Sequence, residues 1–184
     1  MGFYEVAITP EMIQRTLDRC ERSGGEFNGS YHHDKGKSWG YLGEEIVLAC
    51  LGLEATLVDS RNFDIEFKGR KIDVKTKTRS MPPLPHWDAM ILASSMHQEV
   101  DWYFFVQLIA PKNLKDKSKK EILNILSTLK TGYVIGCIQK KKYLEAAMLN
   151  KTGSSCPNFG WEADAYTVLY SQLTKYEPQL TGIR

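Results

Sequence analysis

The sequence predicts an α/β domain built on a central mixed sheet flanked by helices. Three features carry that expectation: helical and strand periodicities alternate along the chain, residues 63–77 read as a two-stranded ribbon, and "DWYFFVQLI" at 101–109 has the unbroken aromatic and β-branched content of a strand buried on both faces. With 184 residues, 42% of them hydrophobic, the chain can bury a substantial core, so a single domain over residues 1–184 is expected.

In chain order, Thr9 and Pro10 form the cap and first residue of a helix whose Met12, Ile13, Thr16, Leu17 and Cys20 recur on one face. The polar run "SGGEFNGSYHHDKGK" at 23–37 reads as a loop. A second helix is expected from Ser38 through "WGYLGEEIVLACL" to a terminating Gly52. It buries Leu42, Ile46, Val47, Ala49 and Cys50 and carries Glu44 and Glu45 in its middle. Strands follow at 54–59, 63–67 and 71–77, then the proline-rich loop "SMPPLPHW" and a short helix near 88–97. Beyond the central strand, Ile122, Leu123, Ile125, Leu126 and Leu129 predict an amphipathic helix over 118–130, and "GYVIGCIQ" at 132–139 returns as a strand. A last helix near 141–149, a loop with Gly and Cys, and "AYTVLYSQL" at 165–173 complete the chain.

Composition narrows the functional classes. Twenty-four Lys plus Arg against twenty-two Asp plus Glu leave a net charge of +2, so any basic surface for a polyanion has to be local. The cysteines at 20, 50, 137 and 156 form no CxxC pair and no zinc spacing, so reduced thiols are expected. No charged head precedes an apolar run at the N-terminus, and "IVLACLGL" at 46–53 is too short to span a bilayer, which makes a cytoplasmic protein the expectation. Asn28-Gly-Ser30 and Asn150-Lys-Thr152 fit the glycosylation pattern by chance.

The ribbon holds the chemistry. With its turn centred on Lys68-Gly69, Phe67 faces Arg70, Glu66 faces Lys71, Ile65 faces Ile72 and Asp64 faces Asp73. Phe63, Ile65, Phe67, Ile72 and Val74 then share a core face, and Asp64, Glu66, Lys71, Asp73 and Lys75 the other, with Glu66 able to pair with Lys71. Two facing aspartates destabilise a sheet by up to about 1 kcal/mol unless something neutralises them. A divalent cation would, and oxygen-only ligation suits Mg²⁺ or Mn²⁺ better than zinc. Lys75, roughly 6.6 Å beyond Asp73 on the same face, can reach a phosphate or an attacking water.

These residues resemble the PD-(D/E)xK nuclease superfamily, with its restriction-endonuclease-like fold. Asp64 matches the first acidic position, and Ile72-Asp73-Val74-Lys75 match the second acid, the spacer and the lysine. "GYLGE" at 40–44 is similar to the G-x-x-G-E pattern that brings a further glutamate to the metal. Phe63 stands where the superfamily name has proline. The resemblance covers an αβββαβ core over about residues 38–139 and leaves the last quarter of the chain unmatched.

The resemblance implies Mg²⁺-dependent hydrolysis of phosphodiesters, with DNA as partner, Mn²⁺ as a substitute metal, and endonuclease action favoured over exonuclease. It implies Asp64, Asp73, Glu44 and the Val74 carbonyl as metal ligands, with Glu44, Asp64, Asp73 and Lys75 as the catalytic set. Lys71, Lys77 and Arg79 would meet the phosphate backbone, and a homodimer stays open. Adjacent helical residues point about 100° apart, so if Glu44 faces the aspartates, Glu45 turns to solvent or to the helix flank.

Plainer readings stand beside several of these residues. The lysines from 112 to 120 read as solvated surface, and His32, His33 and Asp34 as an exposed loop. Trp39 and Tyr41 read as buried under the helix, and Trp87 as a loop anchor. Gln107 projects toward the site on a weaker argument. Two alternatives remain for the whole: a catalytically silent nucleic-acid-binding or interaction domain of the same fold, or a structural hairpin whose aspartates pair with Lys71, Lys75 and Lys77.

Overall fold

The architecture, taken from a computed structural model, is described over residues 3–23, 35–58, 60–153, 155–156, 159–160 and 163–177. A short strand, β1 (Tyr4–Ala7), leads into α1 (Pro10–Arg22), whose N-cap Thr9 accepts a hydrogen bond from the Met12 amide at 3.3 Å. Helix α2 (Lys35–Leu51) includes the three residues before the expected start at Ser38. It ends where Gly52, at φ +79°, donates its amide to Leu48 O at 3.0 Å, a left-handed cap that glycine adopts without strain. Trp39, Leu42, Ile46 and Val47 are buried, but Ala49, expected inside, is exposed. His32, His33 and Asp34 lie outside the described residues.

Strands β2 (Ala55–Leu57), β3 (Ile65–Phe67) and β4 (Arg70–Arg79) follow as an antiparallel meander. β5 (Asp88–Leu92) occupies the place where a short helix was expected near 88–97. The period there is two and not 3.6: Ala89 and Ile91 turn inward while Asp88, Met90 and Leu92 are half-buried, and the helical content reduces to one 3₁₀ turn at Ala93–Ser95. β6 (Trp102–Ile109) is buried nearly end to end, and α3 (Lys119–Thr128) starts on a capping box between Ser118 and Glu121. β7 (Thr131–Gln139) leads into α4 (Lys140–Ala146). The helix expected to 149 stops there, because β8 (Met148–Asn150) joins a sheet instead. The two-residue strands β9 (Ser155–Cys156) and β10 (Phe159–Gly160) pair with each other, and β11 (Ala165–Leu169) ends in a 3₁₀ turn.

Among the described residues, a six-stranded mixed sheet runs in the order β1-β7-β6-β4-β3-β2, with β4 and β6 parallel and the other pairs antiparallel. Helices α1, α2 and α3 cover one face, burying Met12, Leu42, Ile46, Ile122 and Leu126 against Ile72, Phe104 and Val106. A second sheet, β5-β11-β8, and α4 cover the other, where Ala89, Ile91, Val168 and Tyr143 meet Tyr103, Phe105 and Ile135. The expected α/β class with a central mixed sheet flanked by helices is present, with a second, three-stranded sheet sharing one flank with α4. No helix among the described residues is long and apolar enough to cross a membrane.

Candidate functional site

The ribbon turns as its residues dictate. Lys68 and Gly69 both have positive φ, 50° and 71°, the requirement of a two-residue hairpin whose twist matches its strands. Phe67 faces Arg70, Glu66 faces Lys71 and Ile65 faces Ile72, the register expected. The ladder then slips. Asp64 N donates to Ile72 O at 2.9 Å, and the Asp64 carboxylate accepts the Val74 amide at 2.7 Å, taking over as acceptor for a backbone donor.

Two expectations are corrected by this slip. Asp64 and Asp73 do not form a regular cross-strand pair, and Phe63 turns away from Ile65 and Phe67 to pack on the opposite core. The Glu66–Lys71 pair is also replaced: Lys71 Nζ lies 3.3 Å from Glu99 and 5.5 Å from the Phe63 ring centroid, an exposed arrangement of small energetic consequence.

Asp73 is 3% exposed, and its Oδ2 lies 2.7 Å from Lys75 Nζ, an ion pair whose angles fall short of a hydrogen bond. The neighbouring strand places Tyr103 beside Asp73 in the ladder, its hydroxyl buried without a hydrogen-bond partner. Burial, with the charge of Asp73 added, pushes that phenol above its ordinary range.

Helix α2 reaches the ribbon through a glycine. A Cβ at Gly43 would lie 1.8 Å from Thr76 Oγ1, so only a residue without a side chain lets the helix seat this close to β4, whereas Gly40 faces open space. The next residue, Glu44, is 7% exposed and bonded through Oε2 to Arg19 Nη2 at 2.6 Å. Glu45 is not turned to solvent. It is 1% exposed and bonded through Oε2 to Arg15 Nε at 2.6 Å. The arginines stand one turn apart on α1, outside the core of about residues 38–139 that the resemblance covers.

The three acids proposed as ligands feel one another. Burial pushes Glu44 up to about 7 against the opposing pull of Arg19, with Asp73 and Glu45 adding repulsion. Asp64 is driven well above the carboxylate range by burial first, then by the charges of Glu44 and Asp73, while the Val74 amide and Lys75 act the other way.

Lys77 and Arg79 continue along the face of β4 that carries Asp73 and Lys75, but they do not present an open basic surface. The Arg79 guanidinium stacks 4.1 Å over the Trp87 ring, its Nε buried and unbonded. Burial, with Arg79 adjacent, pulls Lys77 down to about 8, and Asp88 opposes the shift. Gln107 is fully buried, donating to Met81 O at 2.9 Å and accepting from the Tyr170 hydroxyl at 3.4 Å, so it braces the loop.

Sequence reasoning missed Arg15, Arg19 and Tyr103. Spacing of four on α1 put both arginines on one face, yet nothing in the chain says which helix that face meets.

Whether the residues suit a divalent cation can be tested on their own atoms. In favour, the oxygen-donor carboxyl of Asp64 feels the charges of Glu44 and Asp73, and Asp73 Oδ2 is buried without a hydrogen bond among the described residues. Against, no three His, Cys, Asp or Glu side chains among the described residues converge as a ready-made metal site, and one oxygen of each acid is already engaged by Arg19, Lys75 or an amide. The donor chemistry, carboxylate oxygens alone, is that of a hard divalent cation. A depression of about 240 Å³, lined by Arg70, Val100, Asp101, Trp102, Gln139 and Lys141, includes none of the three acids. No family model, curated protein or solved structure matches the chain, so a functional reading rests on the arrangement of its own side chains.

Proposed function

We propose that the chain is a divalent-metal-dependent nuclease, a Mg²⁺-requiring phosphodiesterase that accepts Mn²⁺ and acts as an endonuclease on DNA, built on a restriction-endonuclease-like core. The observation that supports this reading is that buried Asp73 lies 2.7 Å from Lys75 Nζ, while the charges of Glu44 and Asp73 both bear on Asp64, whose carboxylate holds the Val74 amide at 2.7 Å. Asp64, Asp73, Glu44 and the Val74 carbonyl would hold the cation. Bound there, the ion would supply a lowered pKa for its water and charge stabilisation for the phosphoryl oxygens. Lys75, 26% exposed at its side chain, is the cluster's link to solvent. Released from Asp73, its ammonium orients the attacking water or adds positive charge at the phosphate. Lys71 is the most exposed of the residues assigned to the backbone, while Lys77 and Arg79 support the strand from inside.

The test is cleavage of linear, circular and branched DNA in Mg²⁺ and in EDTA by wild type and Asp73→Asn. Nicking of circular DNA by wild type alone, in Mg²⁺ alone, is expected, with at least about a 100-fold loss in the variant. Asp73→Asn also removes one of several mutually repelling acids, so its melting temperature without metal should hold or rise. Undiminished cleavage by the folded variant would overturn the assignment. A catalytically silent nucleic-acid-binding domain is the second reading, favoured by the ion pairs that Lys75 and Arg19 already make with Asp73 and Glu44. It would give DNA binding without cleavage in any metal.

A further inference from the structure

We infer that Arg19 is a positioning residue of the carboxylate cluster: it holds one oxygen of Glu44 and so directs the other as a donor for a divalent cation, making α1 part of the site. This inference rests on the nuclease reading above.

The geometry separates Arg19 from an ordinary surface partner. Its side chain is 18% exposed and that of Glu44 10%, so the 2.6 Å bond is largely withdrawn from water. The guanidinium is pinned a second time, 4.2 Å over the centroid of the Tyr41 ring. A planar fork held between an aromatic face and a carboxylate has little freedom, and neither does the carboxylate it grips. Arg19 Nη1 is buried and makes no hydrogen bond among the described residues, so Glu44 alone does not saturate the guanidinium.

Arg15 supplies an internal comparison. It sits one turn earlier on α1 and makes an equally short bond, 2.6 Å, to the adjacent Glu45, but its side chain is 51% exposed. The acids whose charges bear on Asp64 are Glu44 and Asp73, whereas the charge of Glu45 bears on Glu44. Two similar ion pairs thus join the same two helices, and one of them ends on the cluster. A partner bonded to a ligating carboxylate typically governs 10- to 100-fold of metal affinity, whereas a pair that only ties helices together governs stability.

Calorimetric titration of Mn²⁺ into the full chain, with thermal melting of the metal-free proteins in parallel, separates these roles. Arg19→Gln is expected to weaken Mn²⁺ binding about 10- to 100-fold, and Arg19→Lys, which keeps the charge but loses the fork, to recover part of it. Arg15→Gln should lower the melting temperature as Arg19→Gln does, yet leave Mn²⁺ affinity within about two-fold of wild type. Arg19→Gln with wild-type or tighter affinity would overturn the inference alone, tighter binding meaning that Arg19 competes with the cation. If Arg19→Gln does not fold, Arg19→Lys decides: affinity equal to wild type overturns the inference. A wild type that takes up no Mn²⁺ overturns the nuclease reading together with this one.

Discussion

Lys77 shows how a single side chain can carry two different meanings. Read along β4 it extends a basic row toward substrate. In three dimensions it is enclosed beside Arg79 and Asp88, and burial, with Arg79, lowers its pKa to about 8. In the unfolded chain a lysine titrates near about 10.4. Between those values the unfolded state binds more protons than the folded one, so this residue makes stability rise as pH climbs through that window, and its cost is fully present below pH 8. Lys77→Met, which keeps the aliphatic stem and removes the charge, should therefore be more stable than wild type at pH 7. The advantage should shrink from about pH 8 to about 10.4, measured by urea unfolding of both proteins across the range. A difference that does not change with pH would show that Lys77 remains solvated.

At the scale of elements, the decisive contact is α2 against β4. An alanine at Gly43 drives Cβ to 1.8 Å from Thr76 Oγ1, and overpacking of this kind costs about 1–3 kcal/mol. Thr76 Oγ1 is buried without a hydrogen bond, so Thr76→Ala removes the obstacle without leaving a donor stranded. Gly43→Ala is expected to be strongly destabilised, and the double variant with Thr76→Ala to regain part of the loss, since Thr76 Cβ still lies 3.0 Å away. Additive effects in a urea double-mutant cycle would mean that the helix shifts freely over the strand, and that Glu44 is not held in place by the seating of α2.

At the scale of the molecule, the described residues of the last quarter of the chain build the second layer. β11 pairs with β5 and β8 over the second core, Thr174 bridges to Cys137, and Tyr176 crosses to the first core, where its hydroxyl donates to Cys50 O and its ring meets Tyr4 and Phe104. Gly136 allows the crossing: at φ +155° it sits where a Cβ would lie 2.6 Å from Thr174 O. A chain ending at Ala147 would expose Tyr103, Phe105, Ile135 and Ile138. Such a chain is expected to lose cooperative unfolding and to bind a hydrophobic dye, read by circular dichroism and fluorescence. A sharp transition in the truncated chain would mean that the six-stranded sheet folds without its second layer.

What the sequence by itself determined was local or periodic. The parity of apolar and charged residues selected the hairpin register, Lys68-Gly69 supplied its turn, Thr9 and Gly52 marked helix ends, and the apolar run at 101–109 announced a strand covered on both sides. These follow from backbone geometry within a few residues. The tertiary structure decided what meets what. It turned 88–92 into a strand because β11 offered an edge, slipped the ladder at Asp64 because its side chain could satisfy the Val74 amide, and buried Glu45 because α1 brought Arg15 to it. Segments of four to six residues with both polar and apolar members satisfy more than one periodicity. A buried charge is tolerated only when some distant part of the chain arrives to pair it. Neither the available edge nor the arriving arginine is a property of the segment itself, so both became legible only once the chain had folded.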